Sequence, residues 1–175
     1  MHMQIIRSAN LSLEPQAARH AAEMFVVLSD PAIYTYENEP PASVEWLRAR
    51  FARLESRRSA DGDEQWLNWV VRFHPSELIG FVQATVRANH SATIAYVIAS
   101  SHWGRGLASE AVKAMIAELA ANYQVRHLSA VFKRDNQRSR RLLERLGFAL
   151  ASVEAQVGAD IETGEQLMQM VIPLT

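Results

Sequence analysis

Two glycines set two residues apart, Gly104 and Gly106, stand directly before a helix-forming run in "SHWGRGLASEA", residues 101–111. Such a turn frees backbone amides, and a helix N-terminus carries partial positive charge, so together they can hold a phosphate. The plain alternative is a tight turn of the kind glycine permits. A dinucleotide fold would want a third glycine, and a P-loop would want Gly-Lys-Ser or Gly-Lys-Thr; neither is present. A second stretch raises the signal. In "DNQRSRRLLERLGF", Ser139 falls on one helical face with Leu142, Leu143 and Leu146. A serine among leucines is out of place unless it bonds to its own helix or faces a cleft. Asn136, just ahead, suits a helix N-cap and equally a hydrogen bond to a ligand.

Other chemistries find less support. The chain has no cysteine, which excludes disulfides, thiolate metal sites and a cysteine nucleophile. His74, His90, His102 and His127 share no common spacing, so no metal site is expected. Lys133, Arg134, Arg138, Arg140, Arg141 and Arg145 form one dense basic cluster. They read as a solvated helix face with one or two side chains free to reach a phosphate; docking on RNA or the ribosome is a third reading. Tyr96 reads as a core aromatic rather than a catalytic acid.

Elements that could position these residues follow from periodicity. Residues 11–16 suggest a short strand, and the Ala-rich run 17–30 a helix closed by the Asp30-Pro31 step. Ser43 can cap a second helix whose buried stripe would be Val44, Leu47, Phe51 and Leu54. Three β-branched and aromatic runs, 66–73, 77–86 and 92–100, are joined by short connections and read as an antiparallel meander. The glycine stretch then leads a helix to Tyr123, with Ala108, Val112, Met115, Leu119 and Tyr123 on its inner face. Residues 127–133 read as a strand parallel to the one before, because a helix intervenes. A short helix stopped by Gly147 follows, then strands at 148–157 and 166–174. The expectation is one α/β domain over 1–175: a mixed central sheet of about seven strands with about four helices.

At 175 residues the chain can bury a core without staples, and 49% apolar with 21% charged residues is ordinary for a soluble protein. A net charge of −1 makes no whole-protein case for DNA or an anionic membrane. No run reaches the roughly 20 apolar residues of a membrane span, and a cytoplasmic protein is expected.

The two motifs, in this order after a meander, resemble the GNAT superfamily of acyl-CoA-dependent N-acetyltransferases. Within it the chain is similar to the branch of ribosomal-protein N-terminal alanine acetyltransferases. The resemblance runs from Leu11 to the last strand and is strongest over 96–148, where "WGRGLASEAV" and "NQRSRRLLERLGF" together are specific. Gly106 and Ala108 fit the family pattern, while Trp103 stands where Gln or Arg is usual, a departure common in the alanine-acetylating branch. It bears only on a side-chain contact.

By that resemblance the acyl donor is acetyl-CoA and no metal takes part. Amides of Trp103, Gly104, Arg105, Gly106, Leu107, Ala108 and Ser109 would cradle the pyrophosphate. The strand carrying Tyr96, Val97 and Ile98 would pair with the pantetheine arm, Asn136 would bond that arm, and Arg141 is a candidate for the 3′-phosphate. Ser139 would sit near the thioester sulfur and protonate the leaving thiolate. Main-chain N–H groups near Val97 and Ile98 would hold the oxyanion. Glu37, Glu39 and Glu64 are candidates by position for the base, acting through water. The acceptor opening is expected to be acidic, from Glu37 and Glu39 and from Glu154, Asp160, Glu162 and Glu165. The amine acceptor could be a protein N-terminus, a polyamine, an aminoglycoside or a small amine, and the protein a monomer or homodimer. A non-catalytic acyl-CoA-binding module stays open as an alternative.

Overall fold

A computed structural model describes residues 3–36, 38–159 and 161–173. Glu37, Asp160 and the expected strand end at Leu174 lie outside the described residues. The strands are β1 (Ile6–Arg7), β2 (Leu11–Pro15), β3 (Glu64–Phe73), β4 (Glu77–Arg87), β5 (Ser91–Ile98), β6 (His127–Lys133), β7 (Ala149–Leu150) and β8 (Glu165–Val171). They form one sheet in the order β1-β2-β3-β4-β5-β6-β8-β7. Five helices accompany it: α1 (Ala21–Leu28), α2 (Val44–Leu54), α3 (Leu107–Asn122), α4 (Gln137–Arg145) and α5 (Val153–Gly158).

Every neighbouring pair is antiparallel except β5 and β6, the two strands joined by α3. That parallel pairing is short. It covers Ser91–Thr93 against His127–Ser129, yet β5 runs on to Ile98 and β6 to Lys133. The two strands therefore diverge, and the side of β5 beyond Thr93 that faces β6 has no strand partner. A cleft opens in the middle of the sheet.

Each face carries its own core. On one side α3 and α4 bury Met115, Leu119 and Leu143 against Trp69, Val82 and Ile94. On the other, Met24 of α1 and Leu47 and Phe51 of α2 pack on Val70 and Leu78. The alternation along β5 places Ile98 in the first core, with Tyr96 packed against it, while Val97 packs against the second. Gly80 of β4 is required by a close approach: a Cβ there would lie 1.9 Å from the carbonyl oxygen of Val97.

Several local expectations hold. Ser43 Oγ caps α2 by accepting from the Trp46 amide at 3.0 Å, and Gly147 follows α4 with φ +97°. Others need correction. The run 17–30 is not one helix: it opens with a 3-10 turn at Ala18–His20, where the His20 ring accepts from the Ala17 amide at 3.1 Å. In α2, Val44 and Leu54 are only half-buried; in α3, Leu107 and Ala111 are buried where Ala108 and Tyr123 are half-buried. The strand expected over 148–157 pairs only at Ala149–Leu150 and then becomes α5, capped by Ser152 Oγ on the Ala155 amide. Val153 and Val157 are largely exposed one helical turn apart. The two-residue β1 was too short to leave a pattern.

Candidate active site

The anion end of the cleft is built by the turn that leaves β5. After Ile98 the chain makes a 3-10 turn at Ser100–His102. Gly104 and Gly106 then adopt φ of +74° and +76°. A side chain at either position would meet nothing within 4 Å, so glycine is needed here for the left-handed backbone rather than for space. Gly106 is the N-cap of α3 without any side-chain cap, and the first helical bond runs from the Glu110 amide to the Gly106 carbonyl at 3.0 Å. None of the six amides of residues 104–109 donates to another described residue. Trp103 does not join them, because its amide donates to the Ser100 carbonyl at 3.1 Å and its indole N–H to the Ile98 carbonyl at 2.7 Å. Six free donors at a helix start can hold an anion.

Cations on α4 flank this turn. Arg138 stacks on Trp103 with its guanidinium carbon 3.4 Å from the ring centroid. Arg138, Leu142 and Arg145, spaced by four and three, line the cavity over Gly104 and Gly106. Arg141 lies off that face and is exposed, so the cation facing the turn is not the one singled out from sequence. Arg105 offers its amide while its guanidinium lies 4.8 Å from the Phe73 ring centroid. The basic cluster as a whole is divided: Lys133 is held by Glu162 at 2.9 Å and Glu165 at 3.0 Å, and Arg140 by Glu144 at 2.9 Å.

Two hydroxyls meet across the cleft. The Tyr96 oxygen lies 2.7 Å from Ser139 Oγ and also donates to the Ser139 carbonyl at 3.4 Å. Ser139 thus faces the cleft rather than bonding back to its own helix. Burial pushes the Tyr96 phenol up to about 12, the Ser139 hydrogen bond and the Arg145 charge opposing the rise. Asn136 caps α4 by accepting from the Ser139 amide at 3.1 Å, and its Nδ2 has no partner among the described residues. Asn136, Ser139 and Tyr96 line one pocket with Val97, Ile98 and Ala108. Asp30 ties the wall to the turn: it accepts from the Ser100 amide at 2.8 Å and the Ala32 amide at 3.0 Å. Those bonds, Ser100's first, hold its carboxyl below the usual range.

Beyond Tyr96 and Val97, on the α1/α2 face, lies a second cavity of about 410 Å³. Trp46, Phe51 and Phe81 line it together with Glu39, Gln16, Asn68 and Gln83. Glu64 is not there. It pairs with Arg87 at 3.0 Å at the opposite end of the β3–β4 hairpin, six positions from Val70. Glu154, Glu162 and Glu165 do not line this cavity either, and the latter two neutralise Lys133. The described carboxylates of the second acidic segment therefore do not border this opening. Among the described residues no group of three or more His, Asp or Glu could hold a metal ion, and no helix is long and apolar enough to cross a membrane.

A split parallel pair beside a row of free amides is an arrangement that can take an anionic, extended ligand. Residues 10–149 match the acetyltransferase (GNAT) domain, and the chain belongs to that family. The uncharacterized N-acetyltransferase YoaA of Bacillus subtilis is 24% identical over 155 residues, 87% of this chain and 86% of that protein. The ribosomal L7/L12 α-N-protein acetyltransferase RimL, solved with coenzyme A, superposes with a TM-score of 0.79 at 21% identity, covering 97% of this chain and 98% of that one. The ribosomal-protein-S5-alanine acetyltransferase of Vibrio fischeri gives 0.78 at 15% identity, with 97% of each chain covered.

Sequence reasoning missed two parts of this site. Tyr96 is expected on the cofactor strand and as a core aromatic, and it does pack against the core; what no spacing marks is the partner its hydroxyl meets across the cleft. Asn68 and Gln83 left a faint sign, since each interrupts an apolar run, while Gln16, after Glu14 and Pro15, left none.

Proposed function

We propose that this protein transfers an acetyl group from acetyl-CoA to a primary amine by direct attack in a ternary complex. The observation that carries this reading is the early end of the β5–β6 pairing beside six unpartnered amides. An extended pantetheine arm can add to the open side of β5 as a strand would. Its pyrophosphate would rest on the amides of residues 104–109, where the helix dipole contributes about 0.3–2 kcal/mol beyond the hydrogen bonds themselves. Arg138 and Arg145 supply countercharge, and Asn136 Nδ2 is free to bond an amide of the arm.

The thioester then comes to the region of Val97, Tyr96 and Ser139. The amine enters from the cavity of about 410 Å³ and attacks the thioester carbonyl carbon. Main-chain N–H groups near Val97 and Ile98 take the oxyanion. The C–S bond breaks, and the sulfur receives its proton from the paired hydroxyls of Tyr96 and Ser139. With a phenol shifted up to about 12, Tyr96 stays protonated at working pH and can supply it. The amine's own proton leaves through the cavity mouth by way of water, where Glu39 is placed; Glu37 stays a candidate on its sequence position alone. The chain contains no cysteine, which agrees with transfer lacking an acyl-enzyme.

The test has two parts. Acetyl-CoA at 100 times its dissociation constant should stabilise the fold by about 2.7 kcal/mol, and ADP by much less. An amine panel read by released coenzyme A should then show turnover. No thermal response to millimolar acetyl-CoA would remove the proposal, and binding without turnover would leave an acyl-CoA-binding module. The pairing of Lys133 and Arg140 with carboxylates gives no support to an RNA-docking role.

A further inference from the structure

The floor of the acceptor cavity carries a row of side-chain amides for which the transfer step itself has no use. Strand register sets Gln83 of β4 opposite Asn68 of β3 on one side and Ala95 of β5 on the other. Gln16, one residue past β2, extends the row, since its amide donates to the Asn68 carbonyl at 2.9 Å. Opposed residues share a face and neighbouring strands lie about 4.8 Å apart, so Gln83, Asn68 and Gln16 lie about 5, 10 and 14 Å from Ala95. All line the same cavity as Tyr96 and Val97.

The hydrogen-bonding capacity of the row is largely unused. Gln16 is 4% exposed, yet its Nε2 is buried with no partner. Asn68, 6% exposed, donates once from Nδ2 to the Trp66 carbonyl at 3.3 Å and keeps a second N–H. The Gln83 side chain bonds to no described residue. Behind Gln16, Arg57 donates to its carbonyl through Nη2 while Nη1 is buried and unpartnered. A buried donor without an acceptor is costly, so Gln16 Nε2, on the cavity wall, calls for oxygen from a ligand, and the free N–H groups of Asn68 and Gln83 can add to it. Trp46, Phe51 and Phe81 give the ligand apolar walls, and Arg50 on the same cavity adds a cation.

We propose that the Gln16–Asn68–Gln83 row selects the acceptor, taking an amine whose chain bears carbonyl or carboxylate oxygens out to about 14 Å from the reacting nitrogen. This assignment rests on the acetyl transfer proposed above. It predicts discrimination, because a site built to bond an oxygen rejects the analogue that lacks it.

Two matched pairs of acceptors separate the sources of oxygen. Alanine tetrapeptide amide against butylamine tests carbonyls, and 8-aminooctanoate against octylamine tests a terminal carboxylate. In the wild type, kcat/KM should favour the oxygen-bearing member of at least one pair, and that pair names the source. Gln16→Met, close in size, and Gln83→Met, at an exposed position, should each cut that preference about fivefold or more. Folding of each variant is checked by its thermal shift with acetyl-CoA. No preference in either pair, or a preference that survives both substitutions within about twofold, overturns the assignment. Binding of the same four compounds to coenzyme A-loaded protein, followed by calorimetry, reads the row without turnover. If no amine is acetylated but Gln16→Met still loses affinity for the oxygen-bearing compound, the row stands and the transfer reaction falls; equal affinities across all four in wild type and variants overturn the row.

Discussion

The hydroxyl of Tyr96, in the middle of β5, lies 2.7 Å from Oγ of Ser139 in the first turn of α4, across the cleft left where β5 and β6 part. The two residues are 43 positions apart. One hydrogen bond joins the two hydroxyls, with either as its donor, and a ligand sulfur entering between them would find two donors.

Ser139→Ala should lower kcat by about 10- to 1000-fold with little change in acetyl-CoA affinity, because the lost bond matters when charge develops on the sulfur. Tyr96→Phe should act the same way. If the pair works as a unit, the double variant will cost less than the product of the two single losses. Single-turnover rates and acetyl-CoA binding on the same preparations check this. A kcat within threefold of wild type for both would take the pair out of the chemistry.

The pH profile follows from the direction of the Tyr96 shift. Its folded value is raised, so the phenol keeps its proton as pH climbs past 10.0, the ordinary tyrosine value. The rate should therefore rise as the acceptor amine deprotonates, near 8 for an α-amine and near 10.4 for a lysine-like amine. A falling limb below pH 10.0 that disappears in Tyr96→Phe would sink this assignment. The same shift has a stability consequence with a fixed sign. The unfolded chain releases this proton first, so the contribution is complete below pH 10 and is lost between there and about 12.

Gly106→Val should weaken acetyl-CoA binding by tenfold or more while the fold persists. The cause is the backbone, since φ is +76° and a Cβ would meet nothing. Gly106→Asn, a residue that tolerates left-handed φ, should lose much less. Equal losses for Asn and Val, measured by calorimetry, would mean that something other than backbone conformation controls the site.

Arg138→Ala and Arg145→Ala should each raise the dissociation constant for acetyl-CoA, and more so at low salt, because both line the cavity over the glycine turn. Arg141→Ala, off that face, should not. Affinities for coenzyme A and for its analogue lacking the 3′-phosphate would show which arginine meets that group.

Gly80→Ala should destabilise the fold. Its Cβ would fall 1.9 Å from the Val97 carbonyl oxygen, so β4 and β5 must separate locally. Overpacking of this kind costs about 1–3 kcal/mol, which lowers Tm by about 2–4 °C per kcal/mol at this chain length. Thermal unfolding without ligand measures it; an unchanged Tm would show that the strands yield freely there.

What the sequence determined by itself was local and periodic. Gly104 and Gly106 before an Ala-rich run, Ser43 at a helix start, Gly147 after a leucine-faced helix and three β-rich runs with short connections are all written within a few residues. Each is decided by backbone sterics or by neighbours one helical turn away. The order of these elements was enough to show an α/β sheet and the resemblance to acetyltransferases. Elsewhere the local reading failed: a strand is expected over 148–157, but β7 ends at Leu150 and the chain turns into α5.

The tertiary structure alone decided which side chains meet. No spacing announces that β5 and β6 pair at three positions and then part, since register depends on how α3 packs between them. That divergence lets Tyr96 meet Ser139. The seating of α4 turns Arg138 and Arg145 rather than Arg141 toward the glycine turn, and β3–β4 register pairs Glu64 with Arg87 at the far end of their hairpin. The amide row is the same kind of fact. Gln16 lies just past β2 and Asn68 and Gln83 in the β3–β4 hairpin, and only cross-strand register, about 4.8 Å per step, puts them in line.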